Sequence, residues 1–119
     1  MRLNKFINLQ KLLDDDLTKA CRQGDITQVK KALEKGANVN IMDQDGYTPL
    51  HYAARFGRTY MVQVLLEKNA ETKRQDGGGN TAAHLAVKNG HHEVVRLIND
   101  YEYQNYQDMI SLNSGKLIF

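Results

Sequence analysis

The sequence has a single cysteine, a single proline, no long apolar run and no marked excess of one charge. One cysteine, Cys21, excludes a disulfide framework within the chain and points to a reducing compartment, the cytoplasm or the nucleus. No stretch approaches the ~20 apolar residues that a bilayer-spanning helix needs. Near the N-terminus, Leu3, Phe6, Ile7, Leu9, Leu12 and Leu13 are interrupted by Asn4, Lys5, Asn8 and Gln10, so a secretory core is absent. Their spacing predicts instead a helix that packs on the body of the protein. Against 16 Lys and Arg stand 14 Asp and Glu, interleaved, for a formal net charge of +2. That balance offers no field for nucleic acid or an anionic membrane, so neither is expected as a partner. What is present is 119 residues, 41% hydrophobic and 25% charged, the composition of one globular domain.

The chain repeats itself at an offset of 33 residues. Asp43, Gly46, Thr48, His51, Ala53, Gly57 and Val62 recur as Asp76, Gly79, Thr81, His84, Ala86, Gly90 and Val95. Backwards, Leu17, Ala20, Arg22, Gly24, Val29, Leu33 and Ala37 match Leu50, Ala53, Arg55, Gly57, Val62, Leu66 and Ala70. Three units follow, residues 13–45, 46–78 and 79–108, with an N-terminal extension at 1–12 and a tail at 109–119.

Local chemistry describes each unit as two short helices. Thr48 is a good N-cap with Pro49 at the first helical position, and Thr81 can cap in the same way. In the first unit Asp15 is expected to take that place, followed by Asp16 near the positive end of the dipole. Gly24, Gly57 and Gly90 are expected to end the first helices in a left-handed conformation, and Gly36 and Asn69 the second. Ala20, Ala53, Ala54 and Ala86 keep the first helices narrow, and Cys21 falls among such small positions as a buried side chain. Ile26, Val29 and Leu33, then Met61, Val62, Leu65 and Leu66, then Val94, Val95 and Ile98 form an apolar stripe that a lone unit cannot hide. Between units, Asp43-x-x-Gly46 and Asp76-x-x-Gly79 fit type I turns. The run Gly77-Gly78-Gly79 adds conformational freedom to the second turn.

Asp43-x-x-Gly46-x-Thr48-Pro49-Leu50-His51-x-Ala53-Ala54-x-x-Gly57, continued by Leu65-Leu66-x-x-Asn69-Ala70, resembles the ankyrin-repeat signature. The third unit keeps Thr81, His84, Ala86, Gly90-His91 and Val94-Val95, with Ala82-Ala83 in place of Pro-Leu. This resemblance implies an all-α solenoid of stacked helix–turn–helix units with short β-hairpin fingers. It also implies partner binding along a concave face of finger tips and first-helix ends. The family's variable positions fall on Arg22 and Gln23 in the first unit, and on Gln44, Asp45, Tyr47, Arg55 and Phe56 in the second. In the third they fall on Gly77, Gly78, Asn80, Lys88 and Asn89. Tyr47 and Phe56 are expected outside the core, as exposed aromatic anchors. Arg22, Arg55 and Lys88, one per unit, form a basic row suited to an acidic segment of another protein. Such a module would act as an adaptor or an inhibitor. The alternative is a structural piece that scaffolds a larger assembly through its stacking ends. The motif Leu33…Val39-Asn40 also resembles a site of asparagine hydroxylation, with Asn38 where an acidic residue is usual.

Catalysis and metal binding find no support. His51 and His84 occupy the Thr-x-x-His position, where the resemblance assigns them a hydrogen bond to neighbouring backbone, and a zinc site needs three or four converging ligands. The Gly77–Gly79 run lacks the Lys-Ser/Thr of a phosphate loop, and no cofactor is implied. At the C-terminal end, residues 100–107 could extend the last helix, with Tyr101, Tyr103 and Tyr106 covering the core. Residues 109–119 then read as a tail, or Ser114–Leu117 as the start of a fourth finger. Leu117-Ile118-Phe119 faintly resembles a ligand for PDZ domains.

Overall fold

The computed structural model describes residues 2–117, with side chains from 8 to 112. It contains α1 (Arg2–Gln23), α2 (Ile26–Glu34), α3 (Pro49–Arg55), α4 (Thr59–Glu67), α5 (Ala82–Lys88) and α6 (His92–Leu117). The helices pair as α1–α2, α3–α4 and α5–α6, α3 packs between α1 and α5, and α4 packs on α6. Leu17, Val29, Leu50, Val62, Leu65, Val94 and Ile98 are fully buried between the layers, and each contributes about 1.5–3 kcal/mol by leaving water. Ala53, Ala54 and Ala86 are equally buried, so no bulk separates neighbouring inner helices.

The helix ends expected at Thr48, Thr81, Gly24, Gly36, Gly57, Asn69 and Gly90 are where the turn chemistry put them. Thr48 Oγ1 accepts from the His51 N–H, and His51 Nδ1 accepts from the Thr48 N–H at 3.2 Å. Thr81 and His84 repeat this reciprocal cap. Gly24, Gly36, Gly57 and Gly90 have positive φ, and so does Asn69 at 65°. At the ends of α1 and α3 neighbouring side chains also occupy the room that the missing β-carbon leaves. A β-carbon on Gly24 would lie 2.7 Å from Arg58 Cζ, and one on Gly57 would overlap the His91 ring. Arg58 uses that room to donate from Nη1 to the carbonyls of Cys21 at 2.6 Å and Arg22 at 3.0 Å. A cation from the second unit thereby closes the negative end of the first unit's helix.

Two expectations about the first and last helices are corrected. Asp15 caps nothing, because α1 runs unbroken from Arg2 through the acidic triplet to Gln23. Asp14 is instead buried and accepts from Gln10 Nε2 at 2.9 Å and from the Asn38 N–H at 2.8 Å, while Asp15 pairs with Lys11 one turn back. The extension and the first unit therefore share one helix. At the other end α6 continues through residues 108–117, so no finger begins at Ser114. Tyr101 packs on the core, but Tyr103 and Tyr106 are 63% and 55% exposed. Ile118 and Phe119 lie outside the described residues, and with them the PDZ-type reading.

The fingers are turns with no strand among the described residues. Gly46 N–H donates to Asp43 O at 3.0 Å, and one further backbone bond, Asp43 N–H to Tyr47 O, closes the loop. The next finger repeats this with Gly79 to Asp76 and Asp76 to Asn80. One closing bond per finger is too few for a paired ladder. The glycine run serves a close approach: Gly77 N–H donates to Asp45 O at 2.9 Å across the two fingers, and a β-carbon on Gly46 would stand 2.8 Å from Gly77 N.

His51 ties the layers from inside. Its Nδ1 is occupied as an acceptor, so Nε2 carries the hydrogen that goes to the Asn80 carbonyl at 2.9 Å. His84 is exposed and bonds only within its own cap, because the residue 33 positions beyond Asn80 lies inside α6. His51→Ala is expected to cost about 2 kcal/mol or more by stranding buried groups, and His84→Ala less than about 1 kcal/mol, as read from denaturant midpoints.

Candidate binding groove

Two adjoining hollows line the side of the molecule where the fingers face the inner helices. The first, about 1050 Å³, lies between α1 and the first finger, and Lys11, Asp15, Arg22, Met42, Asp45 and Tyr52 contribute to its wall. The second, about 530 Å³, lies between the two fingers and α3, and Gln44, Asp45, Tyr47, Arg55, Gly77 and Asn80 contribute to it. Gln44, Asp45 and Tyr52 are common to both, so the hollows form one groove with a shared wall.

The finger carboxylates are built into the backbone. Asp43 Oδ1 accepts from the N–H groups of Asp45 and Tyr47, both at 3.0 Å, and Oδ2 accepts from the Tyr52 hydroxyl. Asp76 Oδ1 accepts from Gly78 and Asn80 at 2.9 and 2.8 Å. Burial alone would raise the Asp76 pKa, but those backbone donors outweigh it and hold it below the usual carboxylate range. Asp45 is exposed and is the finger carboxylate left for a ligand.

On the helix side the guanidinium groups organise the aromatics. Arg55 Cζ lies 5.8 Å from the Tyr47 ring centre and 5.6 Å from that of Phe56, and Arg58 Cζ lies 4.9 Å from the Phe56 ring centre. Phe56 remains 47% exposed between the two cations. Desolvated pairs of this type strengthen when a partner excludes water. Tyr47 departs from expectation: its ring is half-buried, packs on the core, and lies 5.1 Å from Tyr52 and 5.7 Å from His51. The finger folds back onto α3, which draws the ring inward.

The structure brings Arg22, Gln44, Asp45, Tyr47, Arg55 and Asn80 to the groove. Gln23 lines a separate hollow with Asp16, Lys19 and Gln28 at the outer side of the first unit. Lys88 and Asn89 are exposed at the end of α5 and border neither hollow of the groove, and Phe56 lines neither hollow itself but follows Arg55, which does. Asn40 is half-buried, and its Oδ1 accepts from the Glu71 N–H at 2.9 Å, joining consecutive turns. Tyr52, Lys11 and Asp15 belong to the wall although the repeat pattern did not mark them. The two residues on α1 could have been found by following helical spacing past Leu13 without a break.

A family model for ankyrin repeats (three copies) matches residues 17–108. Similar stretches occur in a fowlpox virus protein named as an ankyrin repeat protein, FPV223, at 48% identity over 42 residues. They occur also in the Medicago truncatula protein VAPYRIN-LIKE, at 50% over 44 residues, and in the 2-5A-dependent ribonuclease of Mus musculus, at 46% over 46 residues. These matches take 35%, 37% and 38% of this chain, and 30%, 10% and 6% of the relatives, so the chain spans less than a third of any of the three.

Tyr52 and Cys21 give the fold a measurable alkaline limit. Burial, then the hydrogen bond and charge of Asp43, push the Tyr52 phenol up to about 12. Burial pushes the Cys21 thiol up from 9.0 to about 12, against a smaller opposing effect of Arg58. Between the unfolded and folded values the native state holds more protons, so stability falls as pH rises from about 9 to about 12. Denaturant melts across that range are expected to show the loss, and Cys21→Ala with Tyr52→Phe to flatten it.

Proposed function

Because the chain belongs to the ankyrin-repeat family, we propose that it is a protein-binding module whose ligand lies along the groove between fingers and inner helices. Ankyrin repeats are generally protein-interaction modules and are typically not enzymes. The observation that carries the reading is Phe56, 47% exposed and flanked by Arg55 and Arg58. A large apolar ring held in place by two cations is an anchor whose ordering entropy is already spent. Arg22 and Arg55 stand on the helix wall and suit an acidic side chain of a partner segment, while Asp45 faces them from the finger. An adaptor or an inhibitor uses such a groove alike. No helix among the described residues is long and apolar enough to cross a membrane. A buried, lone thiol fits the cytoplasm or the nucleus as the place of action.

Selection of displayed random peptides on the intact chain tests this. The selected sequences are expected to carry Asp or Glu near an aromatic or aliphatic residue. They should bind the Arg55→Ala/Phe56→Ala variant at least about tenfold more weakly, a loss of ~1.4 kcal/mol. The melting temperature of that variant should move by no more than a few degrees. Equal binding to variant and wild type would reject the groove.

A further inference from the structure

The outer face of the third unit is uncovered among the described residues. In the second unit Leu50, Ala54 and Val62 are sealed by the third unit, with at most 1% exposure. Their equivalents 33 residues on are Ala83, Val87 and Val95, and here Val87 is 60% exposed while Ala83 and Val95 are only half-buried. On α6, Val95, Asn99, Tyr103, Tyr106 and Ile110 recur at spacings of three and four, so they share one face. Val94, Ile98 and Tyr101 turn the opposite face to the core. The apolar edge of the body therefore continues onto the α6 overhang.

We propose that this edge is the interface between two copies of the chain, joined by a two-fold axis beside Tyr106. The overhang is self-complementary. An antiparallel crossing at Tyr106 sets Tyr103, three residues before it, against Ile110 of the other copy, four residues after it. Val95 and Leu117 are each eleven residues from Tyr106, about 16 Å along a helix. The end of each α6 thus reaches back over the Val87–Val95 edge of the other copy, where a further unit would have stacked. Val87, Tyr103, Tyr106, Met109 and Ile110 are 37–63% exposed and together offer on the order of 500 Å² of accessible surface. That matches the apolar share of the ~800 Å² per partner that a stable interface buries.

Head-to-tail stacking is disfavoured. The opposite edge of the body carries Asp16, Lys19, Gln23 and Gln28, and among the described side chains of α1 the exposed large apolar ones are Leu9 and Leu12. An apolar end set on that polar one would strand charges, whereas an apolar end set on its own copy does not, and the isologous contact closes at two. The groove between fingers and inner helices lies apart from this edge, so a dimer would present two of them.

Sedimentation equilibrium of the full chain over a concentration series tests the proposal. The wild type is expected to approach twice its 13.6 kDa, and Tyr106→Glu/Ile110→Glu to sediment at 13.6 kDa with unchanged helical circular dichroism. Phe56→Glu, a charge placed on an exposed ring away from the edge, should remain a dimer. A wild type that stays at 13.6 kDa up to about 0.1 mM, well above the Kd expected of a standard-size interface, overturns the proposal. A double variant that stays dimeric, or an open-ended series of larger species, overturns it as well.

Discussion

Each unit of this chain leaves an apolar side uncovered and polar groups unpaired, and the neighbouring unit supplies both. Between the second and third units the buried His51 ring reaches the Asn80 carbonyl, and Asp45 O accepts from Gly77. Between the first and second, Arg58 holds the last carbonyls of α1 over the space that Gly24 leaves. The apolar term stabilises and the polar terms set the register. A sliding of one layer against another would leave buried donors and acceptors empty, at about 1–3 kcal/mol for each.

The groove follows from the same layering. Small inner residues such as Ala53, Ala54 and Ala86 bring the first helices close, so their C-terminal ends and the fingers form one continuous wall. The carboxylates of Asp43 and Asp76 are spent on shaping the fingers, whereas Asp45 and Phe56 are exposed and Arg22 and Arg55 line the hollows, which is why the proposed function rests on these four. On the outer face of the third unit Val87 is 60% exposed, and the α6 overhang continues that apolar edge with Tyr103, Tyr106 and Ile110.

Much of this was legible in the sequence because the determinants are local and periodic. Thr48, Pro49, Gly57 and Asn69 name their own backbone conformations, and the offset of 33 residues named the stacking partners. What was not legible depends on contacts distant in the chain. The triplet Asp14-Asp15-Asp16 resembles a helix start, yet Asp14 is committed to the Asn38 amide, 24 residues away, and the helix passes through. Tyr47 was expected at the surface, but its finger folds back and sets the ring, tilted, beside Tyr52. Ser114–Leu117 suggested the start of a finger, while α6 runs helical to Leu117. Gln23 follows Arg22 in sequence but turns about 100° round the helix, which carries it to another face.

The central claim is that stability resides in the contacts between units. Circular dichroism of the isolated second unit, residues 46–78, tests it most directly. Without Cys21 and Arg22 to engage Arg58, without the Asn80 carbonyl for His51, and with Leu50, Val62 and Leu65 open to water, the peptide is expected to give a coil spectrum with no thermal transition. A helical spectrum that melts cooperatively would contradict the account.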